Sequence, residues 1–308
     1  MLNKIKVGVV GVGSMGQHHA RIYAGLEQAR LAGVYDADTD RARKTAAKYQ
    51  CRAYAALDEM LADVDAASIA ATTVAHFELG RRFLDAGKHI LMEKPITSTT
   101  DEAVRLVELA RQKNLVLQVG HIERFNPVLT ALEERLTRPR FIEAHRLSPY
   151  PERSTDVSVV LDVMIHDIEI IMHIVRSPVA ALDAVGVPVL STSEDIANVR
   201  IRFENGCVAN ITTSRISPEK LRKIRVFQDD AYLSLDYLKQ EGEIYRRANG
   251  KITRDKIPVN KDEPLKRQLA SFVNCVATHG APIVSGDHAT AALRLAVEII
   301  GQIRAQKL

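Results

Sequence analysis

Short apolar runs alternate with amphipathic stretches through the first 120 residues. Residues 6–10 (KVGVV) form a β-branched run, residues 17–26 have helical character, and a second apolar run covers 30–35. A helical stretch at 40–49 follows, with Asp38 or Thr39 near its start and Lys48 at its end, where each charge suits the helix dipole. Further strands are expected at 66–71, 89–92 and 115–119, and further helices at 77–86, closed by Gly87, and from Thr100 or Asp101 to 113. In the last of these, Ala103, Leu106, Val107 and Ala110 share one face. Strands separated by helices of about 10 to 15 residues predict right-handed βαβ units and a largely parallel sheet covered on both faces.

Beyond Gly120 the pattern changes. A helix should open near Pro127 with Asn126 as its cap, followed by a strand at 140–146, a loop at 150–158 and a helix at 159–175. Apolar runs at 182–187, 197–203, 207–214, 222–228 and 231–236 then follow without helical spacers. Glu204-Asn205-Gly206 is a tight-turn signal between two of them, because Asn and Gly tolerate positive φ. These runs predict antiparallel hairpins, with closing helices at 263–278 and 287–304, the latter capped by Asp287. The expected architecture is an α/β domain over 1–120 and an α+β domain with a large, mostly antiparallel sheet over 121–308.

Length supports two domains of this size. With 46% hydrophobic and 26% charged residues, the chain has the composition of a folded globular protein, which removes disorder from the alternatives. The formal charge is only +4, and basic clusters at 220–225 and 245–254 read as solvated faces without the aromatic interleaving of a nucleic-acid site. No apolar run reaches the ~18 residues of a membrane helix, and no leader pattern precedes the first strand. The expected compartment is the cytoplasm, with neither nucleic acid nor membrane as partner. Cys51, Cys207 and Cys275 form no CxxC pair and read as thiols of a reducing environment.

The chemistry begins at Gly11-Val12-Gly13-Ser14-Met15-Gly16, which follows a strand and opens a helix. In that context GxGxxG is a dinucleotide-binding loop: the first glycine permits the turn, the second lets backbone approach a pyrophosphate, and the third lets helix and sheet pack closely. Asp36, at the end of the second strand, is placed to accept hydrogen bonds from ribose hydroxyls and to repel a 2′-phosphate, which favours NAD over NADP. A helix-capping role for Asp36 is the alternative.

Further along, ATTVAH at 71–76 and GKHILMEKP at 87–95 resemble the linked nucleotide loop and EKP pattern of the Gfo/Idh/MocA oxidoreductases. The resemblance implies a Rossmann domain joined to a C-terminal α+β domain whose sheet takes part in a homodimer or homotetramer. It also implies that Lys94 lies beside nicotinamide and substrate, and that a D-x-x-x-H pair, Asp162 and His166, completes the catalytic set. By the same likeness Glu93 belongs near the cofactor ribose, and Thr72, Thr73 and His76 belong to the dinucleotide site, although the second threonine position is often proline in relatives. Within the family, GHIERFNP at 120–127 and LDVMIHDIE at 161–169 resemble the UDP-N-acetylglucosamine 3-dehydrogenase subgroup. That subgroup oxidises a secondary sugar hydroxyl to a ketone.

The residues suit this chemistry on their own terms. Asp162 and His166, four apart, would share one helical face. Oxidising an alcohol needs a base for the hydroxyl proton and charge stabilisation for the developing alkoxide, and Lys94 or His166 could fill either role. Asp162, His166, Glu169 and His173 together could instead hold a divalent metal, although none is required. His121 and Arg124 are candidate substrate residues, with a domain-interface salt bridge as the alternative for Arg124, and His145, Arg146, Tyr150 and Arg153 flank a loop that could receive a sugar nucleotide. The same set fits an inositol or aldose dehydrogenase, an internal-redox enzyme or a dinucleotide-binding regulator.

Overall fold

The first apolar run forms β1 (Ile5–Val10), whose Val7, Val9 and Val10 are buried, as the interior strand of a sheet covered on both faces requires. In chain order there follow α1 (Ser14–Gly25), β2 (Ala29–Tyr35), α2 (Thr39–Tyr49), β3 (Arg52–Ala53), α3 (Leu57–Asp63), β4 (Ala66–Ile69), α4 (Thr73–Asp85), β5 (His89–Glu93), α5 (Thr100–Gln112) and β6 (Leu117–Gly120). In this computed structural model, which describes residues 4–150 and 157–306, the six strands are all parallel in the order β3-β2-β1-β4-β5-β6. That is the strand order of a dinucleotide-binding sheet. Its helices are capped locally: Asp38 accepts from Arg41 N (3.0 Å) at α2, and Thr99 and Glu102 form a reciprocal capping box at α5, one residue ahead of the expected Thr100.

The second unit opens with a 3-10 turn (Ile122–Phe125) and continues through α6 (Pro127–Glu133), β7 (Pro139–Leu147), a π-helical turn (Val160–Met164), α7 (Ile165–Val175) and β8 (Val179–Val187). Next come β9 (Ile196–Phe203), β10 (Val208–Ser214), β11 (Leu221–Gln228), β12 (Tyr232–Asp236), β13 (Glu241–Ala248) and β14 (Lys251–Ile257), then α8 (Pro264–Thr278) and α9 (Gly286–Ala305). The sheet order is β14-β13-β12-β11-β7-β10-β9-β8, antiparallel except between β7 and β10. One face of it packs Ile142, Ala144, Val199, Ile211, Val226 and Leu233 with the apolar side of α7 and with Ala292, Ala296 and Ile299 of α9. The Asn205-Gly206 turn joins β9 to β10 with Gly206 at φ 84°. Among the described residues no helix is long and apolar enough to cross a membrane, and all three cysteines are free thiols.

The units are not two simple halves. Met1–Ile122 joins Leu265–Thr290, and Glu123–Pro264 joins Ala291–Leu308, so the single division expected at residue 120 misses a returning segment. The physical reason lies in α8, whose Leu265, Leu269, Phe272, Val273 and Val276 enter the core built by Val7, Val9, Ala20, Ile22 and Tyr23. Periodicity shows that a helix has an apolar stripe but not which core the stripe covers. The cap of α9 also differs from expectation: Ser285 Oγ accepts His288 N (3.3 Å), while Asp287 pairs with Arg111 (3.1 Å).

A buried ion pair fixes the entry to the helix that carries Asp162 and His166. Arg215, only 1% exposed, donates from Nε to Asp195 Oδ1 (2.9 Å), from Nη2 to Ser193 Oγ (2.9 Å) and from Nη1 to the Val157 carbonyl (2.6 Å). Asp195 also accepts the backbone N–H groups of Val189, Leu190 and Ser191. Burial opposes its ionisation, but these donors and Ser191 Oγ hold the carboxyl far below the usual range. Arg215→Met should therefore cost about 3–5 kcal/mol by leaving Asp195 charged and unpaired, measured as a lowered urea midpoint of the second unit.

Candidate active site

In a parallel α/β sheet the loops that leave the carboxyl ends of the strands converge on one edge. Here that edge collects the glycine loop after β1, Asp36 after β2, residues 70–76 after β4, Glu93-Lys94-Pro95 at the end of β5, and His121 after β6. The glycine loop is dictated by space. Gly11 has φ +80°, and a Cβ there would lie 2.8 Å from the Ala70 carbonyl oxygen. A Cβ on Gly16 would lie 1.8 Å from the Gly11 carbonyl oxygen, so only glycine lets α1 start this close to β1. At Gly13 nothing lies nearer than Arg41 Nη1 at 3.9 Å, which leaves the backbone open to a ligand.

The start of α1 has neither an N-cap side-chain hydrogen bond nor an acidic residue in its first turn, so its positive dipole end suits a pyrophosphate. Asp36 is held by Val12 N (2.8 Å) and Asp38 N (2.9 Å), which fix the carboxylate at the end of β2, and Arg41 Nη1 stands 3.5 Å from it. Ser14, Met15 and Thr72 are exposed, Val12 is buried, and Thr73 opens α4 without a side-chain cap before it. These groups fit a bound dinucleotide. His76 takes a different part from the one expected: it is buried, with Nδ1 2.9 Å from the Pro95 carbonyl and Nε2 3.1 Å from the Ala71 carbonyl. It ties the nucleotide loop to the EKP turn.

Lys94 is half-buried at the carboxyl end of β5, and the Lys94-Pro95 peptide is cis. Glu93 beside it is buried, with Oε1 3.1 Å from His19 Nε2 and Oε2 3.4 Å from Lys94 N. Burial opposes ionisation of Glu93, but the hydrogen bond and charge of His19, with the charge of Lys94, hold its carboxyl below the usual range. Gly120, paired with Glu93 across the β5–β6 ladder, makes room for that side chain: a Cβ there would lie 2.6 Å from Glu93 Oε1. Sequence reasoning assigned neither His19 nor Gly120 to the site. His19 lies in the first turns of α1, but only the sheet order brings it under β5.

In the second unit, Asp162 lies within the π-helical turn and His166 in the first turn of α7, both half-buried. π-helical turns recur at functional sites because the extra residue re-aims nearby side chains. Arg146 clamps this helix from β7, donating from Nε to Asp167 Oδ2 (2.8 Å), from Nη2 to Asp167 Oδ1 (2.9 Å) and from Nη1 to Glu123 Oε1 (3.0 Å). Arg222 adds a second donor to Glu123 (3.1 Å). Because Asp167 follows His166, this two-pronged bond fixes the rotation at which α7 presents the histidine.

Several residues singled out in the sequence have protein partners of their own. Arg124 donates to Glu169 (2.6 Å) with both side chains buried, a salt bridge inside the second unit rather than at a domain interface. Burial raises the carboxyl of Glu169 even with Arg124 acting against it. His173 pairs with Glu133 (3.0 Å), which parts Glu169 and His173 from the Asp162–His166 pair and breaks up the four-residue metal stripe. His145 precedes Arg146 on β7 and so faces the other side of the sheet from α7, opposite Thr212 and Lys223. His121 is buried directly after β6. Tyr150 bonds Ser191 Oγ (3.0 Å), and Arg153 lies outside the described residues.

Comparison with known proteins agrees with this geometry. Residues 5–121 match the oxidoreductase family with NAD-binding Rossmann fold, and residues 132–234 match the GFO/IDH/MocA C-terminal domain. The chain is 36% identical over 302 residues to UDP-N-acetylglucosamine 3-dehydrogenase of Acidithiobacillus ferrooxidans, covering 96% of both chains. A solved structure of that enzyme superposes with TM-score 0.93 at 35% identity, covering 98% of this chain and 99% of the other. Inositol 2-dehydrogenase/D-chiro-inositol 3-dehydrogenase of Shouchella clausii is also 36% identical, but over 180 residues, 54% of this chain and 52% of its own length.

The buried carboxylates make the site acid-sensitive. Glu93 and Glu123 both bind their protons less readily in the folded chain than in the unfolded one, Glu123 because Arg146 and Arg222 overcome the opposing effect of burial. The unfolded state therefore takes up more protons on acidification. The stability these groups add is complete above the unfolded value of roughly 4.3 and is lost as pH falls through their folded values. Urea midpoints should decline below pH of about 4.5. Arg146→Met should move that decline to higher pH and cost about 3–5 kcal/mol at neutral pH by stranding Asp167 and Glu123.

Proposed function

Since this chain belongs to the Gfo/Idh/MocA family of NAD-dependent oxidoreductases, we propose that its reaction is oxidation of the 3-hydroxyl of UDP-N-acetylglucosamine to a ketone. The observation that carries the substrate is coverage. Likeness to the UDP-N-acetylglucosamine enzyme holds at 36% through both units, whereas inositol enzymes match at 36% over only 54% of the chain or at 26% over 94% of it. A Rossmann unit supplies cofactor and lysine to many substrates, so the second unit must discriminate among them.

NAD, held by the backbone at the start of α1 over residues 13–16 and by Asp36, supplies the hydride acceptor when bound. Lys94 places a positive charge for the alkoxide that forms as the hydroxyl proton leaves. His166 accepts that proton, and Asp162 orients the imidazole or a sugar hydroxyl. One C–H and one O–H bond break, a C=O bond forms, and the net product beside NADH is one proton, which passes from His166 to solvent. Asp36 has its lone pairs partly committed to Val12 and Asp38, so it meets ribose hydroxyls as a fixed acceptor and disfavours a 2′-phosphate.

Incubation of the purified protein with NAD and a panel of UDP-sugars, inositols and aldoses should give NADH and carbonyl product with UDP-N-acetylglucosamine. Lys94→Ala should lower kcat by roughly 100-fold or more. Robust inositol oxidation with no turnover of the UDP-sugar would overturn the substrate, and a parental rate in Lys94→Ala would overturn the role of the lysine.

The assembly is a homodimer or homotetramer built on the open face of the eight-stranded sheet. That face carries a row of stacked rings, Phe141, Phe227, Tyr232 and Tyr245, with centroids 4.6–5.6 Å apart, each only half-buried. Aromatic rings in a row on an otherwise polar surface suit an interface core. Light scattering should give a multiple of the 34.1 kDa chain mass, and Tyr232→Lys should lower it towards that of one chain.

A further inference from the structure

The reaction described above makes no use of the polar chain behind Glu93. His19 is fully buried, its Nδ1 2.7 Å from Ser68 Oγ on β4 and its Nε2 3.1 Å from Glu93 Oε1 on β5. Nε2 faces the carboxylate at ion-pair distance, and Nδ1 shares a hydrogen bond with the Ser68 hydroxyl. The same ring thus spans the serine on one strand and the carboxylate on the next. We propose that His19 is a positioning residue for the oxidation: it holds the Glu93 carboxylate charged and fixed beside Lys94. The helix that opens at the pyrophosphate loop and the lysine that meets the substrate are thereby set by one buried bridge. This inference rests on Lys94 as the lysine of the proposed reaction.

The surroundings explain why the bridge matters. Glu93 is 8% exposed, and a carboxylate that far from water without a donor would take up a proton near neutral pH. The charged and titratable groups around it come from several elements. His19 and Tyr23 come from α1, His76 from α4 and Lys94 from the end of β5, whereas β6 contributes the backbone of Gly120. His76 is spent on the Ala71 and Pro95 carbonyls. Tyr23 stands beside Ser68, its phenol pushed up by burial, and so contributes no charge. His19 reaches the Glu93 carboxylate at 3.1 Å, and the missing Cβ at Gly120 provides the space in which that carboxylate sits.

Losing His19 should let Glu93 protonate at higher pH, which removes the anion beside Lys94 and loosens the side chain that receives its backbone N–H. The test compares the parent with His19→Ala, His19→Gln and Glu93→Gln. It reads kcat and KM across pH on whichever substrate the parent oxidises, with NADH affinity followed by fluorescence. For His19→Ala kcat should fall roughly 10- to 100-fold at neutral pH and above, with NADH affinity changed by less than about threefold. His19→Gln, whose amide can donate to Glu93 without titrating, should recover most of kcat. Combining His19→Ala with Glu93→Gln should add no further loss to that of Glu93→Gln alone.

An unchanged kcat, or a loss confined to NADH affinity, would overturn the proposal. Equal loss in the alanine and glutamine variants would do the same. Failure of Lys94→Ala to lower kcat would instead remove the catalytic lysine on which the proposal rests. Substrate identity does not enter the comparison, so an error in the sugar would leave this test intact.

Discussion

The close approach of α1 to β1 is the constraint from which the nucleotide-binding unit follows. It exists because Gly16 has no Cβ, which would otherwise lie 1.8 Å from the Gly11 carbonyl oxygen. A helix lying that near the strand presents its positive dipole end at the carboxyl edge of the sheet, where Asp36 and Lys94 also stand. The same approach carries His19 deep enough to reach Ser68 and Glu93 on the next two strands. Steric permission at one glycine thus decides both where a phosphate can sit and which side chains meet behind it. Cofactor binding and the setting of the lysine share a single packing contact.

The second unit orients its helix by charge rather than by backbone proximity. Arg146 and Arg215 are each buried, each holds a carboxylate with well-formed hydrogen bonds, and each acts next to the segment that bears Asp162 and His166. Buried ion pairs add little net stability, because the desolvation of both partners offsets their attraction. Their consequence is angular: a planar guanidinium engaged at two oxygens tolerates far less rotation than an apolar contact of the same size. A helix packed only through isoleucines could slide or turn at small cost. With Asp167 clamped, the histidine before it has one azimuth.

The alternation of strands and helices up to residue 120 was legible because a doubly covered parallel sheet buries whole β-branched runs, and GxGxxG marks the turn where the first of them ends. The short α3 and the two-residue β3 lack the length for a periodic signal. Strands β13 and β14 were hidden by their charges: Glu243, Arg246, Arg254 and Lys256 gave a run that reads as solvated surface, whereas the structure uses it at the edge of the sheet, where charge discourages further pairing. In the site, Asp36, Lys94 and the glycines were visible as motifs. His19 was not, since its partners lie on strands 49 and 74 positions away and neither spacing is periodic. Arg124 read as a ligand residue because an arginine in a pocket-like motif and an arginine with a buried glutamate nearby have the same local sequence.

His145 and Arg146 show how strand geometry divides the labour of the second unit. Neighbours on a strand point to opposite faces, so Arg146 goes to the helix-covered side and His145 to the side bearing the aromatic row. Each strand of the sheet therefore contributes every second residue to the support of the helix and the others to a surface that is free of that task. Substitutions on the open face leave the clamp on Asp167 untouched, and the clamp can be kept while the open face varies. A single-residue slip in the register of β7 would exchange the two sets at once, taking the guanidinium away from Asp167 and placing an imidazole against the core. The antiparallel and parallel neighbours of β7, β11 and β10, prevent that slip by bonding it on both sides, which makes the centre of the sheet the element on which the setting of His166 depends.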